Sequence, residues 1–392
     1  MSTPALSAET KAVTDEVVSI RRDVHAHPEQ GFKETRTSDL IQKKLKSYGV
    51  ETKRVCGTGI IGLIRGAKPG PTILIRADID ALPVIELNKV PYVSKTDGVM
   101  HACGHDGHVA SALGGAKVMA GMKSKLAGNI KLMFQPAEEG PGGAEPMIKA
   151  GLLENPNVDY AFALHMWNDL PVGQIGVRSG PVMASADEFV ITIKGVGGHG
   201  AAPHQTVDPV IVASHIVIAL QTIVSRSVDP VKCAVVTVGK IASGNRFNII
   251  PAEATLVGTV RALEEKVRLL AKKRIAVIAQ NVARAFGATA VLDYDDGYPP
   301  TVNDATATAM MRKAASAVVG AKNVVEQDVT LGAEDMSYVL QKVPGCYWFL
   351  GSANKKRDLA HPHHSARFDF DESSLAIGVE IWKKLAEQVL GA

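Results

Sequence analysis

Nine consecutive residues, Met100 to His108, concentrate side chains that can bind a metal. They include three histidines, one cysteine and one aspartate, and two glycines leave the backbone free to bend. Cys103 and His105 are two positions apart, so a thiolate and an imidazole can converge on one ion. Cysteine favours soft or borderline ions, and imidazole suits zinc, cobalt, nickel or manganese. The stretch predicts a metal site, with a histidine-rich loop that opens a helix as the alternative.

Further acidic and histidine side chains recur where apolar strands are expected to end. These are Asp78 and Asp80 after residues 71–75, Glu138 and Glu139 after residues 129–134, and His165 after residues 160–164. Open α/β sheets place their sites at the carboxyl ends of strands. We therefore expect Asp80 to hold a ligating imidazole by its second nitrogen. Asp78 is either a further site residue or a turn residue.

Two of these residues, Glu138 and Glu139, are adjacent, and successive side chains at a strand end point in different directions. The two carboxylates are therefore expected to have different chemical roles. One can bind a metal while its neighbour faces the open side of the metal and handles a proton.

Length and composition limit the classes of protein that fit. A chain of 392 residues is long enough for two domains. A composition of 46% hydrophobic and 21% charged residues is typical of a soluble globular protein. The net charge of +3 is small, and acidic and basic residues are interspersed, so nothing predicts a nucleic-acid partner.

Location is predicted from three features. Residues 1–27 have no apolar core of the signal-peptide kind, and the four cysteines are too scattered for a disulfide framework. The most apolar run, Pro209 to Val224, is interrupted by polar side chains and is expected to be too short and too polar to cross a bilayer. A cytoplasmic enzyme without a membrane partner is the expectation.

The elements that position these residues divide into two domains. Hydrophobic periodicity predicts an α/β catalytic domain with a central mixed sheet, made of residues 1–183 and 297–392. Residues 184–296 follow a β-α-β-β-α-β order and predict an inserted, ferredoxin-like α+β domain. Within the catalytic domain we expect helices over 8–27, 35–48, 109–122, 305–319 and 372–389, and another that begins with Gly332 to Met336.

Eight motifs, taken together and in order, resemble one known family. They are RADIDALP, MHACGHDGH, FQPAEEG, ALHMW, GGHGAAPH, NIIP, GAEDM and HHSARFDFDE. The chain resembles the aminoacylase/carboxypeptidase family of two-metal peptidases over nearly its whole length. Within the family it is most similar to the amidohydrolase branch of hippurate hydrolases, N-acyl-amino-acid amidohydrolases and auxin-conjugate hydrolases.

The resemblance implies two divalent metal ions, Zn, Mn, Co or Ni, and five protein ligands. By motif these ligands are Cys103, His105, Glu139, His165 and His364. Glu138 would be the general base or acid. The family pattern around the last ligand has a proline where this chain has Ala366, and His363 is the alternative to His364.

The resemblance also implies roles for the inserted domain, as a lid that dimerises. His199 would donate to the developing oxyanion, in the active site of the other subunit of a homodimer or homotetramer. Asn248 and Arg246 would face the free carboxylate of the substrate. Arg246 has the weaker support, with a solvent-facing loop position as its alternative.

The predicted function is metal-dependent hydrolysis of the amide bond of N-acyl-L-amino acids, of the aminoacylase or hippurate hydrolase type. A metallo-carboxypeptidase that acts on short peptides is the alternative, and it differs only in what fills the acyl pocket. A binding protein that has lost catalysis is the competing class. The presence of Glu138 with all five candidate ligands argues against it.

Overall fold

The structure is a computed structural model, and it describes residues 4–391. The chain packs into two compact units. The first comprises the residues up to Gly180, Val302–Asp328 and the residues from Tyr338 onward, and the second comprises Pro181–Thr301 and Val329–Ser337. The segment 329–337 is grouped with the second unit.

The first unit is built on an eight-stranded sheet. Its strands are β1 (Glu51–Val55), β2 (Gly59–Arg65), β3 (Lys68–Asp78), β4 (Ala127–Gln135), β5 (Tyr160–Pro171), β6 (Ile175–Val177), β15 (Val324–Glu326) and β16 (Gly345–Ala353). They lie in the order β1-β2-β4-β3-β5-β16-β6-β15. The pairs β4–β3, β3–β5 and β5–β16 are parallel, whereas β1–β2, β2–β4 and β16–β6 are antiparallel. The predicted central mixed sheet is confirmed.

Three helices of the first unit, α1 (Ala8–His25), α2 (Thr35–Ser47) and α9 (Ser373–Leu390), pack on α3 (His105–Gly121). The others are α4 (Ala144–Lys149), α7 (Ala305–Val319) and α8 (Ser337–Leu340), with Ser337 of α8 counted in the second unit. Nearly all of α3 is buried, and its small residues permit this. A Cβ at Gly114 would lie 2.5 Å from Val17 of α1 and 2.7 Å from Val379 of α9. This packing fixes the helix whose first turn carries the metal-binding motif.

The second unit contains β8 (Ala186–Lys194), α5 (Pro209–Thr222), β10 (Ala234–Ser243), β12 (Glu253–Ala262), α6 (Glu265–Ala285) and β13 (Thr289–Tyr298). Its four strands form an antiparallel sheet in the order β10-β12-β8-β13, and α5 and α6 pack on it around a separate apolar core. The second unit also contains the short pair of β9 (Gly198–His199) with β11 (Ile249–Ile250) and most of β7 (Gly180–Met183), whereas Val302 and Asn303 of β14 (Thr301–Asn303) belong to the first unit. The predicted ferredoxin-like α+β order is confirmed.

Three sequence-based expectations for elements are corrected. Residues 332–336 are not helical, since α8 begins at Ser337. The helix expected from 109 begins four residues earlier at His105, so the motif itself opens it. His165 does not follow a strand but lies inside β5. Pairing between β3 and β5 stops at Ala163, however, while β16 continues beside β5, so His165 lies just past the end of the β3–β5 pairing.

The apolar run in the second unit is longer than expected. α5 continues as a π-helical turn to Ser227, and among residues 4–391 Pro209–Ser227 is the one helix long and apolar enough, by length and composition, to cross a membrane. The expectation that it is too short and too polar is therefore wrong. A single such helix is weak evidence for a membrane span, and Val212, Ile216 and Leu220 are buried in the core of the second unit.

Candidate metal centre

The turn between Cys103 and His105 sets the direction of both side chains. Gly104 precedes α3 with a φ of 94°, which side chains disfavour, and a Cβ there would lie 3.0 Å from Met166. His105 is the first residue of the helix, and both Cys103 and His105 are buried. Glycine at position 104 is thus required to bring a thiol and an imidazole to one point.

The structure brings all five predicted ligands together in the first unit. The ligand atoms of Cys103, His105 and His165 lie within 4.8 Å of one another, and so do those of Cys103, Glu139 and His364. Cys103 belongs to both groups. Its Sγ lies 3.5 Å from Nε2 of His165, and Nε2 of His364 lies 3.2 Å from Oε1 of Glu139.

The two alternatives for the last ligand have different surroundings. His363 is engaged elsewhere, because its Nε2 donates to the backbone oxygen of Met166 at 2.8 Å and its ring packs beside Trp167. His364 adopts a φ of 65°, which turns it from its neighbour, and it reaches Glu139. The geometry favours His364 over His363.

Glu138 lies beside the same cluster. One carboxylate oxygen of Glu138, one of Glu139 and one ring nitrogen of His105 lie within 4.8 Å of one another. Glu138 is 7% exposed, so it borders the cluster without being open to bulk solvent. This is the position that a proton-transferring group needs next to a metal ligand.

Asp80 holds His105 in the tautomer that a metal requires. The Nδ1 atom of His105 donates to the backbone oxygen of Asp80 at 3.0 Å and lies 3.3 Å from its Oδ1. The buried Nε2 atom of His105 has no hydrogen-bond partner among the described residues. This nitrogen lies 3.5 Å from Oδ2 of Asp78 without a hydrogen bond to it, so a metal ion that displaced its proton would give it a partner.

A backbone oxygen also orients the ring of His165 through its Nδ1 atom. Its Nδ1 donates to the backbone oxygen of Met166 at 2.6 Å, which leaves the lone pair of Nε2 toward Cys103. Burial, with His108 and His363 nearby, lowers the pKa of His165 well below its usual value. The ring is therefore neutral at neutral pH, as a metal ligand must be.

Asp78 and His108 adjoin the cluster, because one ligand atom from each lies within 4.8 Å of a ring nitrogen of His105. Asp78 Oδ1 accepts from Nδ1 of His108 at 2.5 Å, and its other oxygen accepts from Arg76 at 2.6 Å. Because the backbone N–H of Met166 donates to Nε2 of His108, both nitrogens of that ring are occupied. Asp78 is thus a site residue rather than only a turn residue, and His108 orients its surroundings.

The protonation of the ligands depends on the charges around them. Burial raises the pKa of the Cys103 thiol well above its usual value, and Glu139 and Glu138 raise it further. Burial lowers the pKa of His105, but Asp78, Asp80 and Glu139 outweigh it and raise the pKa to about 10. Without bound metal, the site keeps protons on Cys103 and His105 at neutral pH. A cation would replace them.

A buried network that the sequence analysis missed lies behind the start of α3. Arg21 donates to Asp106 at 2.8 Å and to Asp369 at 2.6 Å, and His25 contacts Asp106 at 2.8 Å and Glu86 at 3.1 Å. It ties α1 to α3 and to the segment that follows His364. Arginine and histidine four residues apart on one helix were the available signal. With both nitrogens engaged, His25 is not a candidate ligand.

Three further predicted site residues lie in the second unit, on the β9–β11 pair and the loop before it. His199 is exposed and pairs with Ile249, and its Nδ1 accepts the backbone N–H of Ala201 at 3.0 Å. The backbone oxygen of Asn248 accepts from Gly200 at 2.9 Å, which places Asn248 beside His199. Arg246 is exposed on the same loop, as Asn248 is.

A cavity of ≈ 240 Å³ opens beside the ligands in the first unit. Its walls include Asp80, Leu82, Pro83 and Glu139, with Lys33 at the exposed side. A small molecule can therefore approach Glu139 from outside the protein.

Comparison with known proteins agrees with this centre. The sequence pattern of peptidase family M20/M25/M40 matches residues 74–388, which include every predicted ligand. The chain belongs to peptidase family M20/M25/M40. A relative from Saccharolobus solfataricus, named thermostable carboxypeptidase 2, is 44% identical over 95% of both chains. Another M20 relative, from Bacillus subtilis, is named N-acetyl-L-cysteine deacetylase and is 39% identical over 92% of this chain and 85% of its own.

Among solved structures, an M20 protein of Bacillus subtilis has a TM-score of 0.85 and 34% identity, over 97% of this chain and 99% of its own. It is described as a dinuclear metal binding peptidase. This M20 chain is accordingly a metal-dependent hydrolase of amide or peptide bonds with a two-metal centre. The donor set found here, with its unpartnered imidazole nitrogen, fits such a centre.

Proposed function

We propose that this enzyme hydrolyses the amide bond of N-acyl-L-amino acids. One observation carries the proposal. Glu138 borders a cluster of sulfur, nitrogen and oxygen donors from Cys103, His105 and Glu139. Such a site can activate water for the attack and needs no nucleophilic side chain. A general base beside a metal centre, without a covalent intermediate, is the arrangement for attack by water on an amide.

Five residues are proposed to hold the two ions. They are Cys103, His105, Glu139, His165 and His364. Divalent ions bound there polarise a carbonyl and lower the pKa of a bound water. Zn, Mn, Co and Ni all accept thiolate, imidazole and carboxylate, so the donor set leaves the ion open among these four.

Glu138 is proposed to take the proton from the attacking water and to pass it to the leaving amine. An amine leaves an amide only when protonated, so one carboxylate serves as base and then as acid. Asp80 keeps the His105 ring aligned while this occurs. The neighbouring Glu139 is directed to a different partner, His364.

The second unit is proposed to contribute to substrate binding. His199 would donate to the developing oxyanion, and Asn248 and Arg246 would face the free carboxylate of the amino acid. The adjacency of His199 and Asn248 supports a shared substrate contact. On this proposal, residues 1–183 and 297–392 form the catalytic domain, and residues 184–296 form a lid.

The lid is also proposed to dimerise, so that His199 serves the partner's site. Apolar side chains of α5 support this, because Ile211 is 50% exposed and Ile218 is 68% exposed. Strand β10 is a free sheet edge in the second unit with Ile241 exposed as well. A second copy of the chain would cover both features.

Carboxypeptidase activity on short peptides is the second candidate. The relative named carboxypeptidase is more similar to this chain than the one named deacetylase, at 44% against 39% identity. Both reactions release an amino acid with a free carboxylate, so they differ in what the acyl side of the site accepts.

The test is a substrate screen on protein purified without added metal, after metal analysis. N-acetyl and N-benzoyl amino acids and dipeptides are supplied with Zn, Mn, Co or Ni in turn. We expect metal-dependent release of the free amino acid, fastest from an N-acyl substrate. Faster cleavage of dipeptides would favour the carboxypeptidase. Cleavage of none of them, with two metals bound, would reject the proposal.

A further inference from the structure

The turn that carries the two glutamates has an unusual backbone. It follows the end of β4 at Gln135, and Ala137 within it has a φ of 54°. A residue with a Cβ rarely adopts this left-handed conformation unless its surroundings impose it. Ala137 immediately precedes Glu138, so its backbone angles determine where the Glu138 side chain starts.

Two buried carboxylates hold this turn by its backbone. Oε1 of Glu34 accepts the N–H of Ala137 at 2.9 Å, and Oδ2 of Asp80 accepts the N–H of Glu139 at 3.0 Å. The two bonds fall on either side of Glu138. The two bonds restrain the backbone before and after Glu138.

Glu34 is itself firmly placed. It is completely buried, and its second oxygen accepts from the hydroxyl of Thr58 at 2.7 Å. The backbone also approaches the turn closely, because a Cβ at Gly31 would lie 2.9 Å from both the Ala137 Cβ and the Gly140 oxygen. The segment that contains Gly31 and Glu34 is therefore a rigid support under the glutamate turn.

We propose that Glu34 is a positioning residue for catalysis. By accepting the Ala137 N–H, it imposes the left-handed turn and so aims the Glu138 carboxylate at the metal centre. Glu34 contacts no predicted ligand side chain in the described contacts, and its action passes through the backbone. The inference rests on the proposed role of Glu138 as the general base.

The competing view is that Glu34 only stabilises the fold. A matched control separates the two. Glu29 lies on the same segment, and its carboxylate accepts the backbone N–H groups of Arg36 at 3.0 Å and Thr37 at 2.8 Å. These bonds hold the start of α2 and do not involve the glutamate turn. Glu34→Leu and Glu29→Leu therefore make the same chemical change at two sites of one segment.

The experiment measures metal content, unfolding midpoint, kcat and KM for both variants on the best substrate of the screen. For Glu34→Leu we expect two bound metals, an unchanged KM and a kcat lowered roughly ten- to hundredfold, since small misalignment of a catalytic group has effects of this size. Glu29→Leu should lose stability and keep its kcat. An unchanged kcat in folded, metal-loaded Glu34→Leu would overturn the proposal, and so would an equal kcat loss in both variants.

Two further variants test whether the kcat loss comes from the position of the Glu34 oxygen. Glu34→Gln keeps an oxygen for Ala137 and can donate to Thr58, so it should recover most of the kcat. It also replaces Glu34→Leu as the test variant, together with Glu34→Asp, if the leucine variant does not fold. Glu34→Asp is one methylene shorter and should show the kcat loss that Glu34→Gln lacks. Equal kcat in the two would contradict the proposal.

The dependence on Glu138 is tested in a double variant. If Glu34 acts by aiming Glu138, adding Glu34→Leu to Glu138→Gln should lower the residual kcat no further. A full additional loss would overturn the proposal while leaving the role of Glu138 intact. If Glu138→Gln alone retains wild-type kcat, the proposed function fails instead, so the two failures are distinguishable.

Discussion

The Nδ1 atom of His105 lies 3.0 Å from the backbone oxygen of Asp80, and the carboxylate of the same aspartate accepts the backbone N–H of Glu139. One residue just after β3 therefore contacts a predicted histidine ligand and a predicted glutamate ligand that are 34 positions apart in the chain. Sequence alone suggested the first contact but not the second.

Asp80→Ala should consequently weaken metal binding more than the loss of a single contact would, because it affects both His105 and Glu139. We expect a roughly ten- to hundredfold lower metal affinity, because residues that orient ligands have effects of this size. Competition with a chelating dye measures it. Asp39→Ala, which removes an exposed ion pair with Arg54, is the control and should leave the affinity unchanged. Equal affinity in Asp80→Ala and the wild type would show that Asp80 does not support the ligands.

The two adjacent glutamates should respond differently to the same substitution. Glu138→Gln should keep both metals and the fold and lose roughly two to four orders of magnitude in kcat, as removal of a general base does. Glu139→Gln should instead lower metal occupancy, because it removes the carboxylate next to Cys103 and His364. Metal analysis by mass spectrometry, alongside kinetics, separates them. Equal metal loss in both variants would contradict the assignment.

Metal binding should release protons, because the pKa shifts of two predicted ligands keep them protonated in the metal-free protein. In the metal-free protein the pKa of His105 is raised to about 10 and that of Cys103 is raised by burial and by Glu139. Both groups therefore carry protons at neutral pH, and binding should release about two of them. Apparent affinity should rise with pH as long as either group still holds its proton. Titration calorimetry in buffers of different ionisation enthalpy counts the protons.

Cys103→Ser is the matched control for this count. It removes the thiol proton and should lower the number released by about one. Alkylation provides a second measurement, since metal should protect Cys103 and a chelator should expose it. Labelling of Cys103 that is indifferent to the chelator would argue against a metal-bound thiolate, and a pH-independent affinity would argue against proton displacement.

The proposed role of His199 in the partner's site predicts complementation. Glu138→Gln and His199→Ala should each be inactive alone, and mixing them after dissociation should restore activity. With random pairing into dimers, about half the dimers are mixed and about a quarter of all sites recover. Native mass spectrometry must first demonstrate subunit exchange. Recovery of no activity once exchange is demonstrated would mean that His199 serves its own subunit.

The sequence by itself determined the fold class and the chemistry. Local patterns sufficed for this, because the strand and helix periods, the Cys103–His105 spacing and the paired glutamates are properties of short segments. The eight motifs added the family, which the match over residues 74–388 confirms. The motifs indicate all five candidate ligands, and the structure gathers these into two groups that share Cys103.

Apart from Asp80, only the tertiary structure decided which side chains support that cluster. Glu34 and Ala137 are 103 positions apart, and Arg21 and Asp369 are 348 apart, so no local pattern connects them. The same reason explains one wrong expectation, that His165 follows a strand, and one alternative that the sequence left open, His363 against His364. β5 runs past His165 because β16 pairs with it there, and His364 is separated from His363 by a backbone turn that adjacent positions in a sequence do not reveal. Pairing between distant segments, rather than residue type, fixes these contacts.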